Sequence, residues 1–364
     1  MKLFLCGDVM PGRGIDQIMP RPCNPALFEP HLRSALHYVD LAERRSGAIP
    51  RMVPFDYIWG DALEEINLCE PDFRIINLET SITADGTPAL KGINYRMHPD
   101  NIGCITAAQI DCCVLANNHI ADWGLTGLLD TVEVLERSSI ATAGAGRDAD
   151  AAARPAVLEL TTGKRLLVFA FACPSSGVPV HWAAEARRPG VNFLEYFSKD
   201  MVEHIARNIG KWKLPDDLVF VSIHWGSNWG YDIPREHRDF AHCLLDGAGI
   251  DIIHGHSCHH RLAIEVHAGK PILYGCGDFI NDYEGIGGYD TFRPDLTLGY
   301  FLDIGDPDHV LRGMQMTPFQ LTKFRLNRPS HADATSLSDI LDRECRRFGH
   351  RVHLAADDVL VLSW

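Results

Sequence analysis

His254-Gly255-His256-Ser257-Cys258-His259-His260 places four imidazoles within seven residues, directly after the short and mainly apolar run 250–253. A short apolar run followed by glycine is typical of a buried strand that opens into a loop. Neutral imidazole is the commonest metal ligand in proteins, so the stretch predicts a metal site. A His-rich surface loop without a metal is the alternative. The choice between them depends on whether other strands are followed by further ligands.

The composition limits the classes of partner. With 364 residues and 46% hydrophobic content, the chain is long and apolar enough to bury a large core. The formal net charge is -14, and Lys and Arg form no cluster. Because nucleic-acid binding depends on clustered cations, we predict no nucleic-acid partner. A small molecule or a polymeric substrate, held through a cation, fits this charge better.

Eleven cysteines in a chain of this length do not form a disulfide scaffold, and their odd number leaves at least one thiol unpaired. This usage is typical of a reducing compartment. The N-terminal run reaches Asp8 too early to contain the apolar core of a signal peptide. No apolar run approaches the roughly 20 residues of a membrane helix. We therefore predict a soluble, cytoplasmic protein without a membrane anchor.

A carboxylate follows each of the first two predicted strands. Asp8 comes directly after a strand over residues 2–7, and Glu79 follows a strand over residues 72–78. A carboxylate at a tight turn suits a metal cation. It is also typical of a helix cap, in the case of Asp8, or of an exposed loop, in the case of Glu79.

Two later strands end in residues that carry chemistry. A strand over residues 112–116 is followed by Asn118 and His119, and a strand over residues 218–223 is followed by His224. Asn118 offers a ligand oxygen, while His119 can transfer protons near neutral pH. Asn118 is also well suited to a left-handed turn. Arg13, between two glycines, is a candidate for binding an anionic substrate or is a solvated loop residue.

Other cofactor and nucleophile motifs are missing. No Gly-x-Ser-x-Gly elbow surrounds Ser175 or Ser176, and neither a dinucleotide fingerprint nor a Walker-type Gly-Lys-Ser/Thr occurs. The chain contains no internal repeat and no Ser/Gly linker. We predict one domain over residues 1–364, with residues 20–54 as an insertion or flap and residues 298–364 as a C-terminal extension packed on it.

The residues that follow the strands form a coherent set, because the carboxyl ends of strands in an α/β sheet gather along one edge. Their order resembles that of the calcineurin-like metallophosphoesterases, and the whole pattern resembles the CapA capsule-synthesis family, also called the poly-γ-glutamate biosynthesis group. The resemblance covers about residues 1–278. It is carried by Gly7-Asp8-Val9-Met10-Pro11-Gly12-Arg13, Asn77-Leu78-Glu79, Ala116-Asn117-Asn118-His119 with Asp122 and Gly124, His224-Trp225-Gly226, and Gly255-His256 with His259.

The resemblance implies an α/β fold of the four-layer α/β/β/α sandwich type, metallophosphoesterase-like, with one or two divalent metal ions (Mn, Zn or Fe). Two such cations would activate a bridging water and stabilise charge on the attacked group. The metal ligands implied by position are Asp8, Glu79, Asn118, His224, His256 and His259, and the implied catalytic residues are His119, Asp122 and Arg13.

Within that set, Glu79 stands where the wider superfamily has a metal-bridging Asp. Asn118, His224 and His256 would hold one metal. Asp8 and His259 would serve the other. His119 would lie beside both metals as a proton donor.

Two positions depart from the superfamily pattern. Phosphoesterases have Asp-x-His where this chain has Asp8-Val9-Met10, and Met is a poor ligand for hard cations. One metal therefore loses an imidazole. A strict Gly-His-x-His would also require His at position 258, where Cys258 stands, so His259, His260 or Cys258 completes the ligand set. We favour His259, since the capsule family resembles Gly-His-x-x-His here, and His254 or His260 would then support the ligands.

The leading functional prediction is a metal-dependent hydrolase that acts on a phosphoester or on an amide of a glutamate-containing polymer or peptide. The alternative is a non-catalytic accessory protein that binds an anionic capsule polymer, poly-γ-glutamate, through its metal or its arginines. A structural metal in a binding module is a third possibility. The sequence does not determine the oligomeric state.

Overall fold

The computed structural model describes all residues from Met1 to Trp364 and shows a mixed α/β protein. The predicted α/β class is thus confirmed. The strands are β1 (Lys2–Val9), β2 (Phe73–Leu78), β3 (Ser81–Ile82), β4 (Arg96–Met97), β5 (Cys112–Val114), β6 (Ala141–Ala143), β7 (Ala145–Gly146), β8 (Ala156–Glu159), β9 (Arg165–Ala172), β10 (Gly190–Val191), β11 (Leu218–His224), β12 (Ile252–His256), β13 (Ile264–His267), β14 (Lys270–Leu273), β15 (Asp278–Ile280), β16 (Leu296–Ile304), β17 (Leu311–Thr322), β18 (Arg325–Asn327), β19 (Arg351–Leu354) and β20 (Leu360–Ser363).

Eight α-helices connect or flank these strands. They are α1 (Leu36–Ser46), α2 (Asp61–Cys69), α3 (Gly103–Thr106), α4 (Gly124–Arg137), α5 (Ala149–Ala153), α6 (Lys199–Gly210), α7 (Arg235–Gly247) and α8 (His331–Cys345). Ser198 and Ser330 cap α6 and α8, each accepting a hydrogen bond from a first-turn backbone N–H. None of the helices combines the length and the apolar character needed to cross a lipid bilayer.

The larger sheet contains ten strands in the order β19-β20-β17-β16-β1-β2-β5-β6, with β15 beside β1 and β18 beside β17. Strands β1, β2, β5 and β6 are parallel, whereas β16 is antiparallel to β1. All of β1 after Lys2 is buried. A nearly continuous apolar run is the pattern expected of a parallel strand that is covered on both faces.

The smaller sheet has six strands in the order β13-β14-β12-β11-β9-β8. Its four inner strands, β14, β12, β11 and β9, are parallel, so their carboxyl ends point the same way. His224 and His256 are register partners at the ends of β11 and β12. Two of the predicted ligands are therefore brought side by side by strand pairing alone.

The two large sheets meet where β12 approaches β1. His254 lies within β12, and its Nε2 is 2.9 Å from the carbonyl oxygen of Cys6 in β1. Ser222 Oγ lies 3.1 Å from the other ring nitrogen of His254. A single hydrophobic core of 97 buried residues includes side chains from both sheets and from α8.

Strand β12 is longer than the sequence predicted, since it continues through His256 instead of opening into a loop after residue 253. The reason is that the histidines within it are buried and bonded, which lets polar residues extend a strand. The predicted C-terminal extension supplies β16 to β20, and β16 pairs directly with β1.

Candidate metal centre

Three predicted ligands at strand ends gather into one buried group. One ligand atom from each of Asp8, His224 and His256 lies within 4.8 Å of the others. His224 Nδ1 and His256 Nδ1 are 2.7 Å apart, and His256 Nδ1 is 3.8 Å from Asp8 Oδ1. Ser222 Oγ lies 2.7 Å from the remaining nitrogen of His256 and orients its ring.

A second group shares Asp8 and adds His259 and Asp278, again with ligand atoms within 4.8 Å of one another. His259 Nδ1 is 2.8 Å from Asp278 Oδ1. Asn281 Nδ2 donates a hydrogen bond of 2.9 Å to Asp278 Oδ2, which holds the carboxylate in place. Asp8 is therefore common to two adjacent groups of ligand atoms.

Asp278 was not predicted as a site residue, although the sequence contains a signal for it. Gly277-Asp278 repeats Gly7-Asp8, and Asp8 and Asp278 are register partners on the parallel strands β1 and β15. These strands approach so closely that a Cβ on Gly7 would lie 1.6 Å from the carbonyl oxygen of Gly277. Glycine before each aspartate thus lets the two carboxylates lie side by side.

In the stretch 254–260, the structure shows which of the other candidate ligands lies near Asp8. His260 Nε2 accepts a hydrogen bond from the backbone N–H of Gly230, and its ring stacks on Phe292. Cys258 is buried but belongs to neither ligand group, and His254 is engaged between the two sheets. His259 is thus the member that lies with Asp8 and Asp278.

Glu79 lies between two histidines. Its carboxylate oxygens are 3.9 Å from His224 Nδ1 and 3.8 Å from His119 Nε2. Asn77 Nδ2 donates to Glu79 Oε2 at 2.9 Å and to Asp8 Oδ1 at 2.7 Å. The amide of Asn117 in turn donates to Asn77 Oδ1 at 3.0 Å, so a pair of amides orients both carboxylates.

The carboxylates of this region lack a cationic side chain as partner. Neither Asp8, Glu79 nor Asp278 has a Lys or Arg nitrogen within 4.0 Å. Burial and the neighbouring charge of Asp278 raise the pKa of Asp8 to about 7. Burial, together with Asp8 and Asp278, raises the pKa of Glu79 well above its usual value. Carboxyl groups in this arrangement are relieved by a bound cation.

Three of the predicted ligands have a buried polar atom with no hydrogen-bond partner: Asp8 Oδ2, Asn118 Oδ1 and His224 Nε2. Leaving a buried polar atom unbonded costs about 1–3 kcal/mol, so such atoms are rare unless something else binds them. All three are of the types that Mn²⁺, Zn²⁺ and Fe²⁺ accept as ligands. The residues therefore fit a divalent metal.

His119 and Asp122 form a dyad at the edge of this region. His119 Nδ1 is 2.6 Å from Asp122 Oδ2, and the ring stands edge-on to Tyr95 with centroids 4.6 Å apart. The backbone N–H of Tyr95 also donates to Asp122 Oδ2 at 2.6 Å. Burial, partly offset by Asp122, lowers the pKa of His119 to about 4. Neutral His119 that donates Nδ1–H to Asp122 keeps a lone pair on Nε2, which faces Glu79.

Lys91 is a second residue that the sequence did not single out. Its Nζ donates to Asp122 Oδ1 at 2.7 Å and to the carbonyl oxygen of Asn118, and lies 3.2 Å from His119 Nδ1. About a quarter of its side chain is exposed. Lys91 stands in the loop between β3 and β4, where no periodicity or motif marks it.

Arg13 is neither solvated nor free to turn toward a ligand. It is 2% exposed, and its guanidinium donates to both oxygens of Asp282 and to Glu29. The rings of Tyr38 and Tyr95 lie on it, with centroids 3.9 Å and 4.2 Å away. Since Glu29 and Tyr38 belong to residues 20–54, Arg13 connects that segment to the wall of the site.

Residues 2–283 match the model of the family described as bacterial capsule synthesis protein PGA_cap. The chain belongs to this family. It is 47% identical over 361 residues to a probable polyglutamine synthesis accessory protein of Mycobacterium tuberculosis (strain ATCC 25618 / H37Rv), which covers 98% of this chain and 94% of that protein. The resemblance predicted from the strand-end motifs is confirmed.

Members of the capsule group from Bacillus are more distant. The PGA biosynthesis protein CapA of Bacillus subtilis (strain 168) is 25% identical over 298 residues, which covers 81% of this chain and 66% of that protein. The capsule biosynthesis protein CapA of Bacillus anthracis is 26% identical over 192 residues, covering 53% of this chain and 45% of that protein.

Proposed function

We propose that the protein is a metal-dependent hydrolase that acts on a phosphoester or on an amide of a glutamate-containing polymer or peptide. The observation that carries this proposal is the set of unbonded, buried ligand atoms on Asp8, Asn118 and His224. Such a set of buried electron-pair donors, in a region whose carboxylates lack a cationic partner, is suited to one or two divalent metal ions, Mn, Zn or Fe.

The proposed ligands divide into two sets around Asp8. Asn118, His224 and His256 would hold one metal, and Asp8, His259 and Asp278 the other, with Glu79 between them. Asp278 would supply the ligand that Met10 cannot, since β15 places it beside Asp8. Bound there, the cations would polarise water and the attacked group and offset the developing negative charge.

The chain's own residues would handle the proton. His119 is oriented by Asp122, and its Nε2 faces the ligands, so it can take a proton from an attacking water and return it to the leaving group. Lys91 holds Asp122 and is partly exposed, and it therefore offers a positive charge to an anionic substrate. Arg13 is enclosed by Asp282 and Glu29, and we assign it a positioning role instead of direct contact with substrate.

We also propose a fold type, a domain organisation and a cellular location for the protein. Two large sheets in contact, with helices outside them, support the four-layer α/β/β/α sandwich. The shared core of 97 residues supports a single domain over residues 1–364, with residues 20–54 as a flap over the site. Eleven free cysteines support a reducing, cytoplasmic location.

The test is hydrolysis by the protein reconstituted with Mn²⁺, Zn²⁺ or Fe²⁺. Substrates are aryl phosphates, phosphodiesters and γ-glutamyl peptides, each assayed beside the Glu79→Ala variant. We expect turnover of one substrate class that Glu79→Ala abolishes. No turnover by the wild-type protein with any metal, or equal turnover by Glu79→Ala, would contradict the proposal.

The relatives' names favour a second candidate, a non-catalytic accessory protein that binds an anionic polymer such as poly-γ-glutamate. The Mycobacterium tuberculosis relative carries the word accessory in its name. This candidate predicts metal-dependent binding of poly-γ-glutamate without chain shortening. Size-exclusion analysis of the polymer after incubation distinguishes the two, because a hydrolase of the polymer reduces its length.

A further inference from the structure

Helix α7 and strand β13 carry a second cluster of imidazoles and carboxylates, which shares no residue with the metal centre. His242 and Asp246 are four residues apart on α7, and Glu265 and His267 are two residues apart on β13. A spacing of four on a helix and of two on a strand each places both side chains on one face. The two faces meet, and we call these four residues the α7–β13 cluster.

The distances within the α7–β13 cluster are those of potential ligands. His242 Nε2 is 2.8 Å from Glu265 Oε1, and His267 Nε2 is 2.9 Å from Asp246 Oδ1. The two imidazole rings are nearly parallel, with centroids 4.1 Å apart. One ligand atom from each of His242, Glu265 and His267 lies within 4.8 Å of the others.

A hydrogen bond to Tyr274 orients the carboxylate of Glu265. The hydroxyl of Tyr274 donates a hydrogen bond of 2.7 Å to Glu265 Oε2, which leaves Oε1 directed at His242. Support of this kind is characteristic of ligands in protein metal sites. The side chain of Glu265 is only 13% exposed, whereas His242 and His267 are 34% and 26% exposed, so solvent reaches the imidazoles.

The charge of the α7–β13 cluster also favours a cation. Neither Glu265 nor Asp246 has a Lys or Arg nitrogen within 4.0 Å, and each is paired only with a histidine. The two carboxylates therefore have no Lys or Arg side chain to balance their negative charges. A divalent ion would neutralise both and use the imidazoles as ligands.

We propose that the α7–β13 cluster is a separate binding site for a divalent transition metal of the Zn²⁺, Co²⁺, Ni²⁺ or Cu²⁺ class. Two imidazoles with one or two carboxylates form the mixed nitrogen and oxygen set that these ions bind. An ion there cross-links α7 to the edge strand of the six-stranded sheet. It stabilises the folded protein, because binding to the native state alone raises stability.

The experiment uses full-length protein stripped of metal and titrated with Zn²⁺ or Co²⁺ by calorimetry. The Asp8→Asn background weakens the buried centre and leaves the α7–β13 cluster intact. On that background, the further pair His242→Gln and His267→Gln is expected to remove one bound equivalent. Zn²⁺ should raise the melting temperature of the Asp8→Asn variant and leave that of the triple variant unchanged.

Matched controls keep the result interpretable. His237→Gln changes an imidazole on the same helix that belongs to no ligand group, and it should retain the equivalent on the same background. Circular dichroism of each metal-free variant checks the fold, and Glu265→Gln provides a substitution that keeps both imidazoles. Equal Zn²⁺ stoichiometry and affinity before and after the histidine substitutions overturn the proposal. Because His242 and His267 lie outside the buried centre, the effect of their substitution is independent of hydrolase activity.

Discussion

The metal centre and the α7–β13 cluster are built from the same side-chain types in different surroundings. At the centre, Asp8 Oδ2 and His224 Nε2 are buried and have no hydrogen-bond partner. In the cluster, each imidazole of His242 and His267 has a carboxylate partner and is reached by solvent. If the centre holds a metal as proposed, its buried atoms without partners would make it depend on the cation, whereas the side chains of the partly exposed cluster are partners for one another.

The largest expected effect is that of Asp8→Asn, since Asp8 belongs to both ligand groups of the centre. We expect the variant to lose tight binding of both metals and to lower hydrolysis by roughly 10²–10³-fold or more, because charge stabilisation at the reacting group is lost. Elemental analysis and turnover measure this. The control His237→Gln should keep wild-type metal content, and equal metal in Asp8→Asn would remove Asp8 from the ligands.

His119→Gln should separate proton transfer from metal binding. Loss of a positioned acid–base group lowers turnover by roughly 10²–10⁴-fold. The metal content should stay at the wild-type level, since His119 belongs to neither group of ligand atoms. A His119→Gln variant that loses metal together with activity would instead identify His119 as a ligand.

Asp278→Asn tests whether Asp278 supplies the ligand that Met10 cannot. We expect the affinity for one of the two metals to fall by at least about 10–100-fold. Substitution of a residue that only supports a metal ligand already has an effect of this size. The other metal, at His224 and His256, should be retained. Calorimetric titration of metal-free protein distinguishes the two sites, and two unchanged affinities would show that Asp278 is not a ligand.

The contribution of Asp8 to the stability of the metal-free protein should fall as pH rises. Asp8 has a pKa of about 7 when folded, above its usual value near 4 when unfolded, so the folded state binds this proton more tightly. Between these two pKa values the unfolded chain loses the proton first, and stability is lost as pH increases. We expect the melting temperature of the wild type, relative to that of Asp8→Asn, to be higher at pH 5 than at pH 8.

Two measurements make that pH dependence specific to the centre. Adding Mn²⁺ should flatten the difference, because the cation binds the ionised carboxylates. Without metal, the melting temperature of the wild type should decline relative to that of Asp8→Asn between pH 5 and pH 8. The same pH dependence in both proteins would contradict the explanation.

The smallest effect is expected at the α7–β13 cluster when no metal is added. His242→Gln removes a partly exposed pair with Glu265, and such pairs are worth about 0.2–1 kcal/mol. Thermal unfolding should therefore change by only a few degrees at most. A much larger loss of stability would mean that the cluster is a structural requirement of the metal-free fold.

Much of the centre could be predicted because its signals are local. Short apolar runs mark β1, β2, β5, β11 and β12, and the polar residue after each run is visible in the sequence. Asp8, Glu79, Asn118 and His224 were predicted as ligands in this way. The bounds were less accurate, since β12 continues through His256 where the glycine predicted a loop.

Other residues of the site depend on contacts that no local pattern reveals. Asp278 matters because β15 lies beside β1, although 270 residues separate it from Asp8. Lys91 reaches Asp122 from a loop without a motif. The glycines on both sides of Arg13 suggested a mobile side chain. In the structure, Asp282 from a distant part of the chain encloses the guanidinium.

The sequence by itself determined which donor types follow which strands, and therefore the family to which the chain belongs. Those features depend on neighbouring residues, because strand formation and the residue after a strand are short-range properties. Only the tertiary structure decided that His259, and not His260 or Cys258, lies with Asp8 and Asp278. It also decided which ligand atoms are buried without a partner, because burial depends on how two sheets from distant parts of the chain approach each other.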